Sequence, residues 1–266
     1  MTMTTRQMAS KVPEVTIFFW IIKVLSTTVG ESAADTLNAD FGLGLTGTTL
    51  VMTAVLVLVA ILQFRADRYV PWIYWLLVVL VSIVGTLITD ILTDNLGVPL
   101  EVTTVVFVVA LGATFAVWRA MEGTLSIRSI TTTRREAFYW LVVLFTFALG
   151  TAAGDLVAEQ FGLGYLATAL IVGAIIAAIA ALHYGVGLDG VLTFWLVYIL
   201  TRPLGASLGD LLSQDRDAGG LGLGATATTA LFTAVIVALV GYVTYTGVDR
   251  IALVDKVVGD EADALG

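Results

Sequence analysis

Four aspartates recur at one place in a repeated pattern: Asp35, Asp90, Asp155 and Asp210. Each stands 15 residues after a tryptophan and five after a glycine, in the order Trp20/Gly30/Asp35, Trp75/Gly85/Asp90, Trp140/Gly150/Asp155 and Trp195/Gly205/Asp210. Four carboxylates at one depth could bind a cation or relay protons. Such groups suit hard cations, which take oxygen ligands. Three further charges interrupt apolar runs: Lys23, Glu31 and Arg202. Charges inside a membrane segment are expensive and must pair or face water. With no Cys and one His, the chain lacks thiolate chemistry and a His-rich metal site.

The elements that must position these residues are long and apolar. Of 266 residues, 58% are apolar and 13% charged, with a net charge of −8. Mean hydropathy is +0.97. This excludes a disordered chain, a basic nucleic-acid binder and an ordinary soluble α/β enzyme. Eight apolar runs are expected to form helices, at about 16–37, 45–64, 71–93, 99–118, 137–158, 164–184, 190–213 and 225–246. Each is long enough to cross a hydrocarbon layer of about 30 Å.

Basic residues give the orientation. Arg6, Lys11, Arg65, Arg68, Arg119, Arg128, Arg134, Arg135, Arg250 and Lys256 fall on one side, and only Arg216 lies in the opposite loops. Basic residues gather in cytoplasmic loops, so both termini are expected in the cytoplasm. Arg134 and Arg135 are expected to meet anionic lipid. The first apolar run is read as a helix, not a cleaved leader, because Lys23 interrupts it and it belongs to the repeat.

The fold expected is all-α and polytopic, with eight transmembrane helices in four two-helix repeats. A two-helix unit returns to its starting side, so the four copies share one orientation. Trp-to-Trp spacings of 55, 65 and 55 divide the chain into halves. The parts are a cytoplasmic N-terminus (1–15), a first half (16–120), a cytoplasmic linker (121–136), a second half (137–247) and an acidic cytoplasmic tail (248–266). A Gly turn follows each Asp, 22 residues after Trp in three copies and 27 in the fourth, which carries an insertion at about Gln214–Gly220.

The chain resembles a family of prokaryotic membrane-anchored proteins built from four tandem two-helix repeats, each with a characteristic Trp and of unknown function. The likeness covers roughly residues 11–246. It is carried by Lys11-Val-Pro-Glu-Val15, Phe19-Trp20-Ile-Ile-Lys23, Glu136-Ala-Phe-Tyr-Trp140, Thr201-Arg-Pro-Leu-Gly205 and the four Gly/Asp pairs. The acidic tail, Asp255–Asp263, and the fourth-unit insertion depart from it. The resemblance implies the repeat architecture and supplies no substrate.

The repeated Trp is expected to serve an interfacial aromatic belt and helix packing, with Trp72 and Trp118 in the same belt. Gly30, Gly85, Gly150 and Gly205, with Gly154 and Gly209 four residues on, form small-xxx-small patterns that let helix backbones approach. Positions 3, 7, 11 and 15 after Trp make a slowly drifting helical stripe. It reads Lys23, Thr27, Glu31, Asp35 in unit one and Tyr198, Arg202, Ala206, Asp210 in unit four. In unit two it reads Val78, Ser82, Thr86, Asp90, and in unit three Val143, Phe147, Thr151, Asp155. A Glu31–Arg202 pair is geometrically open. Pro203 is expected to kink the seventh helix.

The candidate substrate- or ion-binding residues are therefore Lys23, Thr27, Glu31, Asp35, Asp90, Asp155, Arg202 and Asp210. The expected function is transport of a small ion or solute, by a transporter or channel. The alternative is a sensor or scaffold whose buried charges are structural. An intramembrane aspartyl hydrolase is the remote alternative, on Gly154-Asp155 and Gly209-Asp210. No catalytic residue and no cofactor are assigned, and the metal question stays open. The expected partners are the plasma-membrane bilayer and a small ion or solute; no nucleic acid is expected, and a homo-oligomer is left open.

Overall fold

The computed structural model describes residues 10–40, 44–160 and 162–250. The readings on Arg6, Lys256, the tail beyond residue 250 and most of the first Gly turn lie outside the described residues. Eight long helices are present: α1 (Ile17–Asp40), α2 (Gly44–Arg65), α3 (Pro71–Asp90), α4 (Leu100–Glu122), α5 (Thr133–Asp155), α6 (Gly164–Val186), α7 (Gly190–Ser213) and α8 (Ala225–Thr246). No strand occurs among the described residues. All eight are long and apolar enough to cross a membrane.

The odd helices form an inner ring, in which α1 packs on α3, α3 on α5, α5 on α7 and α7 on α1. The repeated glycines make each seam. A Cβ on Gly30 would lie 1.8 Å from Ser82 Oγ, and one on Gly85 2.8 Å from Phe147 Cβ. One on Gly150 would lie 2.0 Å from Arg202 Cγ, and one on Gly205 2.5 Å from Thr27 Cβ. The glycine of each unit thus meets the seventh residue after Trp in the next unit, and unit four closes on unit one. Gly209 sits 3.3 Å from the Thr28 carbonyl oxygen by the same measure, whereas Gly154 has only Pro203 at 3.8 Å.

The even helices stand outside. Each packs mainly on the odd helix of the following unit: α2 on α3, α4 on α5, α6 on α7, and α8 on α1. The odd helices bury 50–67% of their spans and the even helices 11–22%. The outer helices are as apolar as the inner ones or more so, the reverse of a water-soluble bundle, and so they need lipid around them. The chain is a multi-pass membrane protein.

Burial refines three expectations. The tryptophans serve the packing part of their expected role: Trp75, Trp118, Trp140 and Trp195 are buried in the core, and Trp72 alone of the six is exposed. The segment 121–136 is not all linker, because α5 begins at Thr133, where Thr132 accepts a hydrogen bond from the Arg135 amide at 3.3 Å. Arg134 and Arg135 both pair with Glu122, Arg135 at 2.7 Å, so lipid is not their only counter-charge. At the other end, a π-helical turn follows Asp90 (Ile91–Asn95) and another follows Asp155 (Leu156–Gln160). α7 runs on through Pro203. Past the inserted residues of unit four the Gly turn folds back to cap it, with the Leu221, Leu223 and Gly224 amides donating to the carbonyls of Leu211, Leu212 and Ser213.

Candidate functional site

The stripe read from the spacing faces the middle of the ring, in layers from the tryptophan end to the aspartate end. The residues just before the tryptophans, Phe19, Tyr74, Tyr139 and Phe194, close the first layer. Phe19 and Phe194 ring centres are 6.0 Å apart, and the Tyr74 and Tyr139 hydroxyls meet at 2.5 Å. Next come Lys23, Val78, Val143 and Tyr198, then Thr27, Ser82, Phe147 and Arg202, all fully buried. Glu31, Thr86, Thr151 and Ala206 form the fourth layer, also buried. The fifth holds Asp35, Asp90 and Asp155, half-buried, and Asp210, buried.

Arg202 fills the centre. Its Nη2 donates to Glu31 Oε2 at 2.8 Å and also to the hydroxyls of Thr86 and Thr151. Its Nε donates to the Phe147 carbonyl at 3.2 Å and its Nη1 to the Thr27 carbonyl at 3.5 Å. One guanidinium therefore touches all four units. Its fork of donors allows this, where a lysine would present a point charge. The Thr86 hydroxyl lies 3.3 Å from Glu31 Oε2 and 3.4 Å from the Thr151 hydroxyl, which closes the network.

Lys23 is placed differently. Its ammonium lies 4.0 Å from the Phe147 ring centre and 4.4 Å from that of Tyr198, with the Thr27 hydroxyl at 3.5 Å. Cation–π attraction partly replaces the lost hydration. No carboxylate pairs with Lys23 among the described residues. The layers between the aromatic plug and the aspartates thus hold two cationic side chains against one carboxylate.

Toward the aspartate end the sign reverses. Glu31, Asp155 and Asp210 each bring a carboxylate oxygen within 4.8 Å of the others. These come from units one, three and four. Oxygens so arranged are chemically suited to a hard cation, with Arg202 as a tethered cation already in contact with one of them. Asp35 and Asp90 complete the layer.

A second buried ion pair was not anticipated. The basic-residue pattern uses Lys11 only for orientation, and Glu136 enters only in the family likeness. They meet at 2.7 Å, both buried, with the Lys11 ammonium also donating to the Phe64 carbonyl at 3.1 Å. Gln63 donates to the other Glu136 oxygen at 2.9 Å. Nearby, the Tyr69 hydroxyl donates to Asp249 Oδ2 at 2.5 Å. Residues 10–16 form a strap across this end, tied by the Lys11 amide to the Ile130 carbonyl and by the Glu14 amide to the Asp249 carbonyl. The one available signal was Lys11 and Glu136 standing close before the apolar runs of units one and three. His183 is half-buried with Nδ1 2.7 Å from the Leu188 carbonyl at the end of α6.

No curated protein and no solved structure matches the chain. A family model does, four times in tandem, over residues 18–69, 73–124, 138–187 and 193–249. Each match covers one two-helix unit as the ring defines it. The chain therefore belongs to the Repeat of Unknown Function (DUF347) family.

Proposed function

We propose that the protein is a plasma-membrane transporter that moves a small ion or solute along the axis of the inner ring. The observation that carries this reading is the convergence of Glu31, Arg202, Thr86 and Thr151 at the centre of the ring, between a closed aromatic layer and an acidic layer. Intramembrane charges held at such a point mark substrate and ion pathways. The tryptophan end, with both termini, faces the cytoplasm, on the distribution of Lys and Arg.

The mechanism follows from the charges. The aspartate layer draws cations from outside and raises their local concentration. A solute that binds Glu31 competes with Arg202 for the same carboxylate. Release of Arg202 frees the Thr86 and Thr151 hydroxyls and loosens the contact among all four units. That couples occupancy to ring opening, as an alternating-access cycle requires. The packed layers below favour a transporter over an open channel.

The test is flux in proteoliposomes across a panel of monovalent and divalent cations, anions and small polar solutes. Wild type should move at least one, and Glu31→Gln should abolish that flux in folded protein. Absence of flux across the whole panel would overturn the reading. A second reading, a sensor or scaffold, is favoured by one observation: the Arg202 guanidinium is partnered on every nitrogen. It requires that Glu31→Gln alter stability alone.

A further inference from the structure

The repeat builds one kind of groove at least three times on the outside of the ring. Each groove lies between an outer helix and the odd helix one unit beyond the one it packs on: α2 with α5, α4 with α7, and α8 with α3. The odd-helix wall repeats in all three. It is the tryptophan, the leucine after it and an aliphatic residue one turn on: Trp140, Leu141 and Leu144; Trp195, Leu196 and Ile199; Trp75, Leu76 and Val79. The facing position on the outer helix is 44 residues after Trp in units one and two, and 49 in unit four with its insertion. It holds Phe64, Arg119 and Thr244, and each lines its own groove. A phenyl, a hydroxyl and a guanidinium all suit the packing there, so packing does not select the arginine.

The α4–α7 groove is the charged one of the three. It encloses about 440 Å³, a size that holds a small ligand or part of a larger one. Arg119 lines it from α4, and Asp189 lines it from the start of α7. The other two grooves have no charged lining residue. Both charges are exposed, and neither is in an ion pair among the described residues. Glu122, close to Arg119 in the chain, is already taken by Arg134 and Arg135. Asp189 uses Oδ1 to cap α7, accepting from the Leu192 amide at 2.9 Å, which leaves Oδ2 for a ligand. Below the charges the groove is apolar. It follows Leu192, Leu196 and Ile199 on α7, with Phe115 opposite and Trp195 as its floor, 5.0 Å from the Phe115 ring centre. Asp189 to Ile199 is ten residues of α7, about 15 Å of rise, or half of a hydrocarbon layer of about 30 Å.

We propose that the α4–α7 groove binds one phospholipid from the leaflet at the tryptophan end, with a headgroup that carries a primary ammonium beside its phosphate. The Arg119 fork takes the phosphate, a pairing suited to its planar donors. The Asp189 carboxylate accepts from the ammonium, and an acyl chain lies along Leu192, Leu196 and Ile199. A trimethylated ammonium has no N–H to donate to Asp189. A headgroup with no ammonium leaves Asp189 facing only the phosphate, and like charges repel. The two uncharged grooves take acyl chains with no choice of headgroup. The site lies outside the ring and does not depend on the transporter reading.

The experiment strips the full-length protein of lipid in detergent. It then titrates phosphatidylethanolamine, phosphatidylcholine and phosphatidylglycerol with identical chains, and counts bound lipid by native mass spectrometry. Wild type should hold one phosphatidylethanolamine about tenfold more tightly than either of the others. Arg119→Gln should weaken that binding about tenfold, as loss of a charged hydrogen bond does. Asp189→Asn keeps the helix cap, since asparagine caps as well as aspartate, and should let phosphatidylglycerol bind as tightly as phosphatidylethanolamine. Arg128→Gln, outside the groove, should bind as wild type does. Thermal unfolding checks that each variant is folded; should Asp189→Asn not fold, Arg119→Gln at its exposed site carries the test. Equal binding of the three lipids by wild type would overturn the proposal. So would a preference for phosphatidylglycerol, or a wild-type preference kept in both folded groove variants.

Discussion

Replacing Gly150 with alanine should break the seam between α5 and α7. The added Cβ would lie 2.0 Å from Arg202 Cγ, 2.5 Å from Arg202 Cβ and 3.3 Å from Pro203 Cδ. Carbon atoms pack at about 3.5–4.0 Å, so some part must move by roughly 1.5 Å. Neither neighbour yields easily. Arg202 is held at its far end by Glu31, Thr86 and Thr151, and Pro203 cannot rotate. Overpacking of this kind costs about 1–3 kcal/mol. If the guanidinium lifts off Glu31, breaking the buried pair adds about 3–5 kcal/mol, and the two effects share atoms and will not sum fully. Gly154, one turn on, supplies the control. Its added Cβ would meet nothing nearer than Pro203 at 3.8 Å, an ordinary contact. Gly154→Ala should be neutral, or stabilising by up to about 1 kcal/mol from helix propensity. Unfolding in detergent micelles, followed by the emission of the buried tryptophans, reads both. Equal stability of Gly150→Ala and wild type, or an equal fall in the two variants, would refute the close approach described.

Further outcomes follow from the same contacts. Arg202→Met and Glu31→Gln should each lower stability by about 3–5 kcal/mol, and Arg202→Met/Glu31→Gln should recover much of the loss. A double-mutant cycle on unfolding midpoints measures this, and additive losses would deny the pair. Glu136→Gln should expose the strap to protease more than Glu101→Gln does, because Glu136 is a buried partner of Lys11 and Glu101 is exposed. Asp249 sets a pH dependence. Burial raises its carboxyl above the ordinary 3.8, so the folded state keeps a proton that the unfolded state has released. Stability contributed there is present at acid pH and falls as pH rises through the window just above 3.8. Asp249→Asn should flatten that part of the curve, and an unchanged slope would count against the assignment.

How far the sequence could be read follows from how each feature is encoded. A membrane span is written as an apolar run of fixed length, so all eight were legible to within about four residues at each end. The ring axis was legible because position 7 or 11 after Trp lands on one face in every unit. The partner of each outer helix was not. α2 packs on α3 instead of its own hairpin mate α1, and an all-round apolar helix such as Gly44–Arg65 carries no stripe to say so. Lys11 looked like a topology signal because it flanks an apolar run, and nothing nearby in the chain marked Glu136 as its partner. Only the strap's hydrogen bond to Ile130, set by distant parts of the chain, brings them together and buries them. The tryptophans were legible as belt and packing together but not in what share: near a helix start, an indole suits an interface and a ring core equally.

The same repetition separates residues that serve the ring from residues that do something else. A group required by a seam must recur wherever the seam recurs, and the glycine does, four times. Opposite it stand Thr27, Ser82, Phe147 and Arg202, four types against one glycine. The seam therefore accepts a hydroxyl, an aromatic ring or a long cation, and it does not select arginine. Nor does the eleventh position select glutamate, since Thr86, Thr151 and Ala206 fill the equivalent places around the ring. Apolar side chains at both sites would close the bundle without the cost of burying a charge pair. Arg202 and Glu31 stand on units four and one, on either side of the seam that closes the ring. The aspartates, present in every copy, give the outer layer its charge. Under the proposed transport, the single pair beneath that layer is the one place where a solute would exchange with a side chain, and it would set the direction in which the ring opens.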